Sequence, residues 1–405
     1  MKNQKIIYKN NIQSKYLSLT DQKKIGKKLH KILKEVTIDL EKTQNTLHSL
    51  SKKFTFSFKF KELNKFKKFK TLVIIGMGGS ILGAEALYFF FKKKIKKDFI
   101  FLNDIDEDKL KLIKKEKDFS KTLFIIISKS GNTIETISNF FVLDLIKKNS
   151  KNVIIISEKN NNPLYLLSKK MNLKHIECNN YIGGRYSVLS EVGIVPAYLM
   201  GLDIRKLRKN LLNPLKFKNQ KFLRNSTLML SDLLKAKKFK NLIFFNYEPK
   251  LDKFLYWGQQ LIAESLGKNG KGFLPLISKA PKDHHSLLQL YLEGPRDKIF
   301  YIFSSKISAG QKIKIKQLDN RIKFVNNKSL DQIKNAQKEA FIKVLKKNQI
   351  PFREFRIGDF SETILGELFS YLMLETAIIG KLSSINPYNQ PAVEQVKINT
   401  KKLLS

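Results

Sequence analysis

The chain has 405 residues, 42% of them hydrophobic, which excludes a disordered polymer and leaves room for two domains or one large α/β unit. Its 77 Lys and Arg against 35 Asp and Glu give a formal net charge of +42. The basic residues run from end to end in short groups such as Lys92-Lys93-Lys94 and Lys346-Lys347, not in one arm or helix, so the charge reads as a compositional bias shared with Asn, Ile and Phe and argues against a nucleic-acid surface.

Residues 1–70 are polar and helical in pattern, with a Phe/Lys alternation over 54–60. The first eight residues lack the apolar stretch of a signal peptide, and no apolar run approaches the length of a membrane span. From residue 71 strands and helices alternate. Strands are predicted at 72–75, 99–102, 123–127, 153–156 and 175–178, with helices between them, for example 81–91 and 133–147. The single cysteine, Cys178, falls on the last of these strands, cannot form an intramolecular disulfide and belongs to no zinc-binding cluster. Together these features describe a soluble protein of a reducing cytoplasm with no membrane contact.

Pro214 and the lysines around it read as a linker. A second alternation follows: helix 226–236, strand 242–245, helix 252–266, strand 273–277, helix 283–292, strands 299–303 and 322–325, helix 330–346 and strand 352–357. Two helices, 361–379 and 391–404, close the chain. The expected architecture is α/β: two doubly wound, mostly parallel-sheet units at 71–212 and 213–360, a helical N-terminal segment at 1–70 and C-terminal helices at 361–405 that complete the site. Such units place sites at the carboxyl ends of their strands, commonly between domains.

Six segments carry chemistry. The apolar run Leu123–Ile127 leads into Ser128-Lys129-Ser130-Gly131-Asn132-Thr133 and then a helix. Hydroxyls there meet free backbone N–H groups and the positive end of a helix macrodipole, a setting for a phosphate monoester. The strand at 72–75 likewise leads into Gly76-Met77-Gly78-Gly79-Ser80 and a helix, so the two turns can converge on one phosphate. The first turn is not a dinucleotide fingerprint, because position 81, where a third glycine belongs, is Ile; nor is it a P-loop.

Arg185 follows Gly183-Gly184 on a tight loop and offers a planar fork of donors to an oxyanion. Gln260 and Glu264, four apart, share a helix face, and Gly267 marks that helix's end. Glu264 is thus in the final turn, where the macrodipole disfavours a charged carboxylate, a placement suited to a general base. His284-His285 stands out among five histidines and suits proton transfer. Gln390 and Lys397 lie seven apart, two turns along roughly one face of a helix opened by Pro391. Each segment alone also admits a plainer reading: a capped turn, a surface arginine or a solvated helix charge.

Together, in this order, the segments resemble glucose-6-phosphate isomerase of the sugar isomerase domain superfamily. Gly-Gly-Arg-Tyr-Ser at Gly183–Ser187 is similar to one family signature and Tyr-Asn-Gln-Pro-Ala-Val-Glu-Gln-Val-Lys at Tyr388–Lys397 to the other. The second usually has Asp where Asn389 stands and Gly where Ala392 stands. The resemblance, spanning about 71–397, implies an aldose–ketose isomerase acting on glucose 6-phosphate and fructose 6-phosphate through a cis-enediolate. It implies Ser80, Ser128, Lys129, Ser130 and Thr133 on the phosphate, with Gly79 and Gly184 beside the substrate, and Gln260 and Gln390 on the sugar. Glu264 becomes the base, Arg185 the electrostatic support of the enediolate, and His285 the ring-opening group, assisted by Lys397. It further implies a homodimer in which His285 crosses the interface, and no metal or organic cofactor.

Two other readings fit parts of the sequence. A dual phosphoglucose/phosphomannose isomerase of the same superfamily tends to carry threonine where this chain has Gln390. A non-catalytic sugar-phosphate-binding regulatory module needs the phosphate turns but not Glu264, His285 and Lys397.

Overall fold

The computed structural model of the chain describes residues 6–405 except positions 18, 117, 146, 309 and 316–318. Among the described residues ten strands form two five-stranded sheets. The first contains β2 (Thr71–Gly76), β3 (Asp98–Leu102), β4 (Thr122–Ile127), β5 (Val153–Ser157) and β6 (Lys174–Glu177), all parallel, in the order β3-β2-β4-β5-β6. The second contains β1 (Ile6–Asn11), β7 (Asn241–Asn246), β8 (Leu274–Lys279), β9 (Lys298–Ser305) and β10 (Phe352–Ile357) in the order β1-β10-β9-β7-β8, parallel except for β1 on β10. This is the expected α/β class with two mostly parallel sheets. Every residue of β4 and β5 is buried, the mark of a parallel sheet covered on both faces.

In the first sheet the chain runs from β2 outward to β3 and then returns to the other side as β4. The reversal opens a crevice at the carboxyl ends of β2 and β4. Their register puts Gly76 opposite Ile127, so the two turns leave the sheet at one level.

Several elements differ from the sequence expectation. The segment read as helical over 1–70 holds the helix Leu19–Glu41 but also β1, an edge strand antiparallel to β10. Ile6 is buried there and Ile7 exposed, an alternation of period two too short to stand out. The strand expected at 322–325 is part of a 3-10 helix, Asn320–Val325, started by the Asp319 side chain; Ile322 and Phe324 face solvent, with no strand beside them among the described residues. The helix expected at 283–292 splits into a 3-10 turn, Lys282–His284, and a short helix, Leu288–Glu293. The helix expected at 133–147 ends at Val142, and the one expected at 226–236 begins already at Phe217. Pro214 is buried in a short 3-10 turn, not in an open linker.

The helix Glu362–Leu382 is buried on nearly all sides and touches the helices Asp252–Leu266, Phe217–Ala236 and Leu19–Glu41. Contrary to the reading of the apolar runs, it is long and apolar enough to cross a membrane, but 94% of its most apolar window lies inside the protein, where it serves as core. Beyond it the chain turns back toward the junction of the first sheet and the helix Asp252–Leu266 before starting the C-terminal helix Ala392–Leu404.

Candidate active site

The turn after β4 is shaped by Gly131, at φ +65°, which no side chain would fit: an added Cβ would lie 1.7 Å from Asn162 Oδ1. Thr133 occupies the N-cap of the helix Ile134–Val142 but does not cap it with its side chain. Its hydroxyl instead meets that of Ser128 at 2.8 Å, leaving the first-turn amides free of a side-chain cap. The helix Leu82–Phe91, after the turn at Gly76–Ser80, also lacks a side-chain cap. Ser80 approaches the β4 end through Gly76, whose added Cβ would be 3.2 Å from Ser80 Cβ and 2.9 Å from the Ile127 carbonyl. Two uncapped helix starts thus flank one crevice lined with hydroxyls, an arrangement able to hold an anion. Ser130 lies at the edge, exposed and bonded to Asn132. The Lys129 ammonium reaches away to the Asn180 carbonyl (2.6 Å) and Glu158 (3.6 Å).

Arg185 is the hub of the second part. It is 2% exposed, and each of its five N–H donors has an acceptor. Nε donates to Ser265 Oγ (2.8 Å), Nη1 to Glu264 Oε2 (3.1 Å) and Gln390 Oε1 (2.8 Å), and Nη2 to the carbonyls of Pro387 (2.7 Å) and Asn389 (3.1 Å). Gln260 Nε2 donates to the other Glu264 oxygen at 2.9 Å, as expected of residues four apart on a helix. Gln260 Oε1 is buried with no partner among the described residues, and the Glu264 side chain is 31% exposed, so the carboxylate can still meet a ligand.

The two parts meet directly. An added Cβ on Gly79 would sit 2.1 Å from the Gly184 carbonyl carbon, and one on Gly78 2.7 Å from Gln260 Nε2. Only a glycine-bearing turn allows this approach. Gly79, Ser80, Gly184, Arg185, Gln260, Glu264 and Gln390 therefore form a continuous lining beside Ser128 and Thr133.

Besides Lys129 and Ser130, two expected residues lie apart from that lining within a single chain. His285 is exposed, and the adjacent His284 turns inward, 2.7 Å from the Tyr247 hydroxyl and stacked on Phe245. Lys397 is exposed on the C-terminal helix and pairs with Glu394 at 2.8 Å. Among the described residues neither bonds to Arg185, Glu264 or the two turns.

Sequence reasoning also passed over several supports. Ser265 accepts from Arg185 and lies 3.1 Å from the Tyr186 hydroxyl. Trp257, the one tryptophan, donates to the Arg185 carbonyl at 3.0 Å. Lys268 bonds the carbonyls of Ser265 (3.2 Å) and Asn386 (2.6 Å), tying the helix end to the Pro387 loop. Burial, reinforced by Arg185, pushes its ammonium down to about 8. Asn162 caps the helix Pro163–Lys170 while filling the space beside Gly131. Two of these had a signal, Asn162 as Asn before Pro at a helix start and Lys268 as a cation just past a helix-ending glycine.

The profile of the phosphoglucose isomerase family matches residues 4–273. A glucose-6-phosphate isomerase of Methanocaldococcus jannaschii is 33% identical over 346 residues, covering 84% of each chain. One of Mycoplasmopsis pulmonis is also 33% identical, over 369 residues and 84% of each chain. Among solved structures, a hypothetical protein of Thermus thermophilus superposes with TM-score 0.82 at 23% identity, covering 98% of this chain and all of that one. A glucose-6-phosphate isomerase of Chlamydia trachomatis gives 0.68 at 21% identity, over 85% of this chain and 72% of its own. At those identities the superpositions speak for the fold.

Proposed function

The chain belongs to the phosphoglucose isomerase family, and from that membership we infer that it interconverts glucose 6-phosphate and fructose 6-phosphate. It is an aldose–ketose isomerase. The observation that carries the catalytic reading is a half-open carboxylate, Glu264, held between the Arg185 guanidinium and the Gln260 amide beside two uncapped helix starts.

We assign the phosphate to the turns at Gly79–Ser80 and Ser128–Thr133, including Lys129 and Ser130. Anchoring there orients the far end of the sugar and turns binding energy toward the reacting carbons. Glu264 removes the proton from C2 of the open-chain aldose as the C–H electron pair forms the C1–C2 double bond and charge moves to O1; the hydroxyl proton passes from O2 to O1, and Glu264 returns its proton to C1 as the C2 carbonyl forms. Because the Arg185 fork is saturated, its support is that of a fixed charge 3.1 Å from the base, not of a free donor. Gln260 and Gln390 hold sugar hydroxyls.

The division into a segment 1–70, units 71–212 and 213–360 and a terminal part 361–405 serves as the working domain scheme, with β1 joining the second unit. Support for a homodimer comes from the exposed His285 and from the C-terminal helix, which leaves Val393, Val396 and Ile398 uncovered. In that dimer His285 of one protomer opens the sugar ring in its partner's site, and Lys397 acts once its helix is covered. A cytoplasmic setting suits such an enzyme of glycolysis and gluconeogenesis; burial pushes the lone thiol of Cys178 up to about 12, which keeps it protonated.

The test is a coupled assay converting fructose 6-phosphate to glucose 6-phosphate. Glu264→Gln is expected to lower kcat about a thousand-fold while leaving substrate binding within a few-fold. Comparable turnover in the variant would remove Glu264 as the base.

A further inference from the structure

The loop 383–391 joins the buried helix Glu362–Leu382 to the C-terminal helix and presents Gln390 to Arg185. The helix ends with Ser384 at φ +57°, and the Ile385 N–H donates back to the Gly380 carbonyl at 2.8 Å. Beyond that point cations hold the carbonyls. Lys28 donates to that of Leu382 (3.0 Å), Lys271 to that of Ser383 (3.1 Å) and Lys268 to that of Asn386 (2.6 Å), while Arg185 donates to those of Pro387 and Asn389. The unsatisfied carbonyls at the negative end of a helix favour such partners.

Lys268 and Lys271 differ from Lys28 in where they come from. They directly follow the helix Asp252–Leu266, which carries Gln260 and Glu264, and they flank Asn269-Gly270, at φ +55° and +64°. Positive φ at both central residues is the mark of a type I′ turn, which Asn-Gly favours. The two lysines exchange backbone bonds across it, each 3.0 Å, so their side chains share one face. Both ammonium groups reach the loop from that face. Lys268 also donates to the Ser265 carbonyl in the last turn of its own helix (3.2 Å). The segment with the base is thus tied twice to the segment with Gln390 by bonds that do not pass through Arg185. Burial first and Arg185 second press the Lys268 ammonium toward its neutral form, with Glu264 opposing, so the charge is not there for the sake of the fold.

Building on the isomerase reading, we propose that Lys268 and Lys271 are positioning residues of the reaction: they clamp the Pro387 loop to the Glu264 helix and so fix Gln390, which takes the sugar, relative to the base. The turns at Gly79–Ser80 and Ser128–Thr133 lie outside the clamp. Its loss is therefore felt at the sugar end and not at the phosphate.

The test is the double variant Lys268→Met/Lys271→Met in the fructose 6-phosphate assay, with inorganic phosphate as a competitive inhibitor that probes the two turns. Loss of the clamp should lower kcat about tenfold and raise KM about threefold. The inhibition constant of inorganic phosphate should stay within about twofold. Lys268→Arg/Lys271→Arg, which can donate to the same carbonyls, should recover most of kcat. Lys28→Met removes a bond to the same helix end from outside the Glu264 segment, and should leave kcat and KM within about twofold. Should the double variant fold poorly, Lys271→Met, which gives up one bond, carries the same test with a smaller effect in the same direction. Unchanged kcat and KM, a phosphate inhibition constant that weakens in step with KM, or an equal loss in Lys28→Met would overturn the clamp. An inactive wild type would overturn the isomerase reading itself, and the clamp with it.

Discussion

At the scale of single residues, the site is organised by a buried cation whose every donor is used. A lysine in place of Arg185 could not serve the same five acceptors, because its three donors radiate from one point and cannot form a planar fork. The same geometry accounts for Asn389, which stands where the family signature usually has Asp: its backbone carbonyl accepts from Arg185, and its side chain is exposed. Ala392, the other departure, is also exposed. Lys268, beside this cluster, makes a pH prediction. Desolvation first and Arg185 second bring its folded value to about 8, against an ordinary 10.5, with Glu264 opposing. Between those values the unfolded chain holds more protons, so this group's contribution to stability rises as pH climbs through the window; below about 8 the charged lysine burdens the fold in full. The urea midpoint of the wild type should therefore gain on that of Lys268→Met between about pH 8 and 10.5. A constant gap across that range would show that Lys268 is not desolvated.

At the scale of elements, the decisive contact is between two turns. The Gly76–Ser80 turn leaves β2 and the Gly183–Arg185 turn follows β6, and they touch only because Gly79 has no side chain. Gly79→Ala puts a methyl group against the Gly184 backbone, which has no rotamer through which to yield. The turns must separate, costing about 1–3 kcal/mol and shifting Arg185 away from the anion crevice. Urea unfolding and the isomerase assay should both register the change, with activity falling further than stability, about a hundred-fold. Gly26 gives the contrast: it lies in the helix Leu19–Glu41 with nothing within 4 Å of an added Cβ. There alanine should stabilise by up to about 1 kcal/mol through helix propensity and leave turnover unchanged. If both substitutions behaved alike, the close approach at Gly79 would have no functional consequence.

At the scale of the whole molecule, two sheets of similar build have unequal crevices. The crevice at the carboxyl ends of β7 and β9 is closed by polar bonds: Ser305 donates to Glu248 at 2.6 Å, and the Asn246 amide donates to Asp252 at 2.8 Å. The space beside it is only about 10 Å³. The chain beyond the first sheet contributes through the helix Asp252–Leu266 and the Pro387 loop instead. The proposal of a homodimer with shared sites makes a prediction that a monomer cannot mimic. Mixing Glu264→Gln with His285→Ala and allowing subunits to exchange should generate dimers in which one site has both native residues. Random pairing gives about a quarter of wild-type specific activity from two poorly active parents. No recovery, with exchange verified by mass, would place both residues in the same protomer's site or remove His285 from the reaction.

The sequence by itself determined the strands β2, β4, β5, β7 and β9, because each is a short apolar run bounded by turn residues and parallel strands need no alternation to declare themselves. It also supplied the residue types of the site, since hydroxyl-rich turns before helices, a Gly-Gly-Arg loop and a Gln–Glu pair four apart each carry a local physical reason. It could not reveal β1, whose pairing partner lies more than 340 residues away, nor forbid a strand at 322–325, where the missing neighbour is a tertiary fact. Only the folded chain decided that five acceptors from two distant segments converge on Arg185, that Gly79 meets Gly184, and that His285 and Lys397 face outward. A sequence pattern records what each stretch prefers for itself, whereas the saturation of a buried charge depends on which stretches the fold brings within three ångströms of it.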